Sequence, residues 1–84
     1  MRDNPREAPE LSVLGRAIRL TREQRNLSID ELARAIAIPR ENIEALESGR
    51  LDPTYELLVT IAEELGAQPS ALVLLAERLT RSLP

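Results

Sequence analysis

Apolar residues recur along this chain at the spacing of a helix, not of a strand. From Leu11 onward, Leu14, Ile18 and Thr21 fall on one stripe at about 100° per residue, with Arg16 and Arg19 on the far side. This predicts a first helix of about four turns. Asn26 is placed to stop it, because Asn tolerates the left-handed conformation that a helix end requires. Ser28 and Glu31 then form a Ser-x-x-Glu capping box, and Asp30 adds a charge favourable to the helix dipole, so a second helix begins there. It runs to about Ile36, with Leu32, Ala33 and Ile36 inward. Ala37-Ile38-Pro39 breaks the pattern, and Pro39 suits the opening of a third helix over 40–47. Ile43 and Leu46 form the inner face of that helix, and Gly49 supplies a left-handed cap. After a loop over 50–53, a fourth helix over 54–65 turns Leu57, Leu58, Ile61, Ala62 and Leu65 inward and ends at Gly66. A fifth begins at Pro69 or Ser70 and reaches about Ser82, with Leu72, Leu75, Ala76, Leu79 and Leu83 along one face.

No segment alternates with period two, so the expected fold is all-α: a compact five-helix domain over 11–82, preceded by a disordered arm over 1–10 that contains Pro5 and Pro9. Gly15, inside the first helix, costs about 1 kcal/mol relative to Ala. Close approach of another helix backbone is the expected compensation. Leu, Ile, Val and Ala do all the filling, and at 84 residues the margin of stability is thin.

Composition narrows the chemistry. The chain has no His, Cys, Trp or Phe and a single tyrosine, Tyr55. A zinc finger, a thiol nucleophile, a redox pair and an imidazole base are therefore excluded, and neither an enzyme nor a metal or cofactor is expected. The lack of disulfides fits a reducing interior. The longest apolar run, Ala71 to Ala76, is far too short to span a bilayer, and the N-terminus lacks the apolar stretch of a signal peptide. A cytoplasmic protein without membrane association is expected.

Eleven basic and fourteen acidic residues give a net charge of −3, which argues against a polyanionic partner until the chain is divided. Residues 1–10 carry −1, residues 11–50 carry +1 with seven Arg against six acids, and residues 51–84 carry −3. A nucleic-acid surface therefore belongs in the middle segment. Every basic residue is Arg, which suits bidentate recognition of phosphate or guanine and is equally compatible with codon bias.

The middle segment holds the informative motif. Two helices joined by a turn of about three to four residues, with the small Ala33 at their contact and Ile38, Ile43 and Leu46 fixing the crossing, have the form of a helix-turn-helix. The sequence here resembles the Xre/Cro-like family of phage and bacterial repressors. Leu14-Gly15-Arg16 through Arg25-Asn26-Leu27-Ser28 is similar to that family's first helix and turn. Ile43 through Leu46-Glu47-Ser48-Gly49 resembles its Ile-x-x-Ile-Glu-x-Gly signature, and Asp52-Pro53-Thr54, Leu57 and Ala62-x-x-Leu65-Gly66 resemble its fourth helix. The resemblance covers about residues 11 to 72 and implies a lambda-repressor-like domain that binds double-stranded DNA with its third helix in the major groove.

Carried over position by position, the resemblance makes Arg40, Glu41 and Ala45 base-reading residues, with Asn42 and Glu44 as phosphate or secondary contacts. Arg40 can hold guanine through two hydrogen bonds, Glu41 can accept one from cytosine, and Ala45 can pack on a thymine methyl. Ser28, with the helix amides around it, and Arg50 would hold phosphate. Without the motif, Arg40, Glu41 and Glu44 read as a solvated charged face. The family pairs the Glu at position 47 with an Arg of the first helix, here Arg22, so a structural ion pair is implied. Three positions depart from the family pattern. Ile29 stands where a phosphate-binding Gln is usual, Ala37 replaces the turn Gly, and Pro39 replaces a Ser or Thr cap.

On the fifth helix, Val73 and Leu74 lie off the inward face. Such residues are common as stray surface apolars. The family dimerises through its C-terminal helices, which implies a homodimer interface at Val73 and Leu74 and two recognition helices about 34 Å apart. The leading expectation is a dimeric, repressor-like transcription regulator of the Xre family. The alternative is a protein-interaction module that kept this fold and lost DNA binding, which Ile29, Glu41, Glu44 and the net charge favour.

Overall fold

The computed structural model describes residues 7–81, with side chains described from Val13 onward. Five helices follow one another: α1 (Glu7–Gln24), α2 (Ile29–Ile36), α3 (Arg40–Glu47), α4 (Tyr55–Glu64) and α5 (Pro69–Arg81). No strand occurs among the described residues.

Local chemistry accounts for the boundaries of the middle helices. Ser28 Oγ accepts from the Glu31 amide at 3.0 Å while Glu31 accepts from the Ser28 amide at 2.8 Å, so the capping box of α2 is complete. Thr54 caps α4 in the same sense, its hydroxyl accepting from the Leu57 amide at 3.0 Å. It therefore precedes α4, and Leu65 follows it as the C-cap. Pro39 stands at the head of α3 and offers no side-chain cap. Asn26 takes the left-handed conformation with φ 59°, and so does Ala37 with φ 61° and ψ 44°. Asn tolerates that conformation, whereas Ala37, with a Cβ and no polar side chain, is strained there by about 1–2 kcal/mol.

Helix α1 begins at Glu7, four residues before the expected start at Leu11 and inside the stretch expected to be an arm. Pro9 does not prevent this, because the amides of the first helical turn have no partner to lose. Residues 1–6 of the expected arm lie outside the described residues, as do Ser82 and Leu83 at the end of the fifth helix.

The core is assembled from all five helices. Ile18, Leu32, Ile43, Leu46, Ile61, Leu65 and Leu72 are its largest fully buried side chains. Each contributes about 1.5–3 kcal/mol by leaving water. Helix α1 packs along α5 and against α3, α2 packs against α3 and α4, and α4 also meets α5. At Gly15 the α1–α3 contact is made by backbone: an added Cβ would run into the carbonyl oxygen of Leu46 and lie 2.7 Å from that of Glu47. The compensation expected for the glycine is thus the seating of α1 directly on the end of α3.

Candidate nucleic-acid interface

Helix α3 is anchored by one face. Ile43 and Leu46 are fully buried, and Glu47 is 7% exposed. Glu47 meets Arg22 of α1 in a two-pronged ion pair, with Arg22 Nε donating to Oε2 at 2.7 Å and Nη2 to Oε1 at 3.0 Å. Arg22 Nη1 donates in addition to the Leu27 carbonyl at 2.7 Å, so one guanidinium ties together α1, the turn after it and the end of α3. The bond to Glu47 raises the affinity of Arg22 for its proton above the ordinary range, against the opposing effect of burial.

The opposite face of α3 is open. Arg40, Glu41, Asn42 and Ser48 are exposed and Ala45 and Glu44 half-buried, so the helix presents a mixed polar surface over two turns. Arg40 is not free within that surface. Its Nη1 donates to both oxygens of Asp30 at 2.9 and 3.1 Å, and its Nε and Nη2 both donate to Glu44 Oε2 at 3.1 and 3.0 Å. The Glu44 bond first, and the Asp30 charge after it, raise the Arg40 pKa above its ordinary value. Glu44, expected as a phosphate or secondary contact, therefore has Arg40 as its partner.

The positions expected at phosphate are distributed around this face. Arg50 is exposed after the end of α3, with its Nε donating to Ser48 Oγ at 2.9 Å. At the head of α2, Glu31 occupies the Ser28 amide, and the Ser28 hydroxyl accepts from the Glu31 amide. The amides of Ile29 and Asp30 are the first-turn donors left over for an anion. Ile29 packs against the core and lines a depression of about 230 Å³ with Arg19, Arg22, Glu44, Glu47 and Ser48. Replacing Gln by Ile there turns a polar contact into a packing one.

Asp30 is the residue that reading along the chain did not connect to this site. Its position within the α2 capping sequence signals only a favourable dipole charge. Its partner lies ten residues away across the turn. The spacing of Arg40 and Glu44, by contrast, is the familiar i,i+4 pair.

Val73 and Leu74 of α5 are 43% and 48% exposed. Val73 lines a groove of about 540 Å³ between α1 and α5, with Val13, Leu14, Ala76, Glu77, Thr80 and Arg81. Among the described residues no group of three or more His, Cys, Asp or Glu side chains is arranged to hold a metal, and no single helix is long and apolar enough to cross a membrane.

A family model described as a helix-turn-helix domain matches residues 15–78, from α1 through most of α5. The chain belongs to the helix-turn-helix domain family. Two crystal structures of the clp gene regulator ClgR from Corynebacterium glutamicum share its fold. One has a TM-score of 0.78 at 29% identity, over 81% of this chain and 72% of that one. The other has a TM-score of 0.79 at 29% identity, over 81% of this chain and 87% of that one. No curated protein matches the sequence. This helix-turn-helix protein thus has the lambda-repressor-like arrangement of five helices, and its family is one of DNA-binding transcription regulators, not of enzymes.

Proposed function

We propose that the chain is a sequence-specific transcription regulator, repressor-like in action, that binds double-stranded DNA as a homodimer with α3 in the major groove. The observation that carries this reading is the division of α3 into a face anchored by Ile43, Leu46 and Glu47 and an open face bearing Arg40, Glu41, Ala45 and Ser48. Arg40 reads guanine through two parallel N–H groups, Glu41 accepts from cytosine, and Ala45 packs on a thymine methyl. Ser28 with the first-turn amides of α2, Asn42 and Arg50 face phosphate, and Glu44 holds Arg40. A two-fold pair formed through Val73 and Leu74 sets two such faces about 34 Å apart. The likeness to ClgR, which is described as a gene regulator, supports the regulatory role. A cytoplasmic location follows, and neither metal nor cofactor is required.

The second reading, a protein-interaction module with this fold and no DNA binding, is favoured by one observation: the carboxylates of Asp30 and Glu44 hold Arg40, and that of Glu31 holds the Ser28 amide. Binding of the full chain to duplex fragments from its own upstream region, across a salt series, separates the two. A complex specific for one fragment, weakening steeply with salt, is the outcome expected of the regulator. Absence of any complex at low salt, together with capture of a protein partner from lysate, supports the module instead.

A further inference from the structure

The geometry points to Asp30 as an intramolecular competitor for Arg40, a gate on base reading that must open each time the protein engages DNA. The inference rests on the reading of Arg40 as a DNA contact.

Guanine presents N7 and O6 to the major groove and takes two parallel N–H groups from one edge of a guanidinium. Arg40 has two such edges. The edge formed by Nε and Nη2 is closed by Glu44 Oε2, which accepts from both at 3.1 and 3.0 Å. The edge formed by Nη1 and Nη2 has its Nη1 half held by Asp30, whose two oxygens lie 2.9 and 3.1 Å away. All three nitrogens are thus already engaged with carboxylate, Nη1 with Asp30 and Nε and Nη2 with Glu44, so guanine competes with a carboxylate for the guanidinium at either edge.

The two carboxylates are not equivalent. Glu44 sits one turn along the same helix on a longer side chain and can follow the guanidinium as it moves. Asp30 projects from α2 on a short side chain and cannot. A phosphate arriving at the head of α2 also meets the Asp30 charge directly. Asp30 therefore opposes binding in two ways: it holds Arg40 back, and it repels the phosphates. Only the first way depends on Arg40.

That difference defines the experiment. Affinity for a labelled duplex of about 24 base pairs, long enough for two half-sites and enriched by the full chain from a randomised pool, is measured at low salt for the full chain, Asp30→Asn, Arg40→Ala and the double variant. Asp30 and Arg40 are about half exposed, and thermal melting verifies that each variant remains folded. Asp30→Asn is expected to tighten binding about three- to tenfold when Arg40 is present, and about twofold or less when it is Ala. Glu63→Gln, which removes the same charge from the exposed surface of α4, is expected to change affinity by less than about twofold. Equal gains in the two Arg40 backgrounds, with DNA bound by the wild type, would overturn the gate and leave the proposed function standing. So would weaker binding by Asp30→Asn, the sign that Asp30 braces Arg40 on DNA. Failure of every variant to bind removes the proposed function, and the gate with it.

Discussion

Arg22 and Glu47, 25 positions apart, meet through two hydrogen bonds at 2.7 and 3.0 Å, and both side chains are almost fully buried. Removing one partner leaves the other as an uncompensated buried charge. Arg22→Ala or Glu47→Ala is expected to cost about 3–5 kcal/mol in urea unfolding. A small domain has roughly 5–15 kcal/mol in total, so either change removes a large share of the stability. Replacing both together, Arg22→Met with Glu47→Leu, is expected to cost much less than the sum of the single changes, because no charge is then stranded.

Gly15 leaves no room for a methyl group against the carbonyls of Leu46 and Glu47. Gly15→Ala gains helix propensity, about 1 kcal/mol, and loses more by forcing α1 away from α3. The net expectation is a destabilisation of about 1–3 kcal/mol, seen as a lower midpoint in denaturant. A more stable variant would show that the contact yields.

Ala37 supplies the opposite case. It is exposed and holds φ 61° without need of its methyl group. Ala37→Gly relieves the left-handed strain at some entropic cost in the unfolded chain, and a gain of about 1 kcal/mol is expected. In a domain of this size that raises Tm by about 4–8 °C.

Arg40 and Arg50 are assigned different duties, and their alanine variants should differ in kind. Arg40→Ala is expected to flatten the sequence preference recovered from a randomised duplex pool. Arg50→Ala is expected to weaken binding to all sequences alike and to reduce the salt slope by about one unit. Equal behaviour of the two variants would overturn the assignment.

Leu74 tests the pairing of two chains. Leu74→Lys places a charge on the exposed side of α5 without touching the buried Leu72. The wild type is expected to sediment as a dimer at tens of micromolar and the variant as a monomer of unchanged helicity. A monomeric wild type excludes the pairing.

The middle of the molecule was the most legible part of the chain. The capping box at Ser28 and Glu31, the break at Pro39 and the glycine after α3 are local signals, and α2 and α3 stand where those signals put them. The start of α1 was not legible, because an apolar stripe reports only the turns that face a core, and the turn from Glu7 to Glu10 precedes the first apolar position of that stripe. The buried face of α1 is wider than its apolar stripe predicts, for a related reason. Val13 and Ala17 are buried alongside Ile18, since α1 is packed by α3 on one side and α5 on another. In the site, the i,i+4 partner of Arg40 lay within reach of pattern reading. Asp30 did not, because its approach depends on how two helices cross, and that angle is settled by the packing of the core residues Ala33, Ile43 and Leu46.

Helix α1 is a single rod of 18 residues, about 27 Å long. Helix α3 is fastened to it at Gly15 and Arg22, and α5 lies along it. The rod thus acts as a ruler between whatever engages α3 and whatever engages α5, with no linker between the two to take up slack. In a pair of chains joined through α5, the separation and relative rotation of the two reading faces would be fixed before DNA arrives. Inserting one base pair between half-sites turns the second by about one-tenth of a revolution. A ruler of this kind cannot follow that turn, so the spacing of the operator would be read as strictly as its letters.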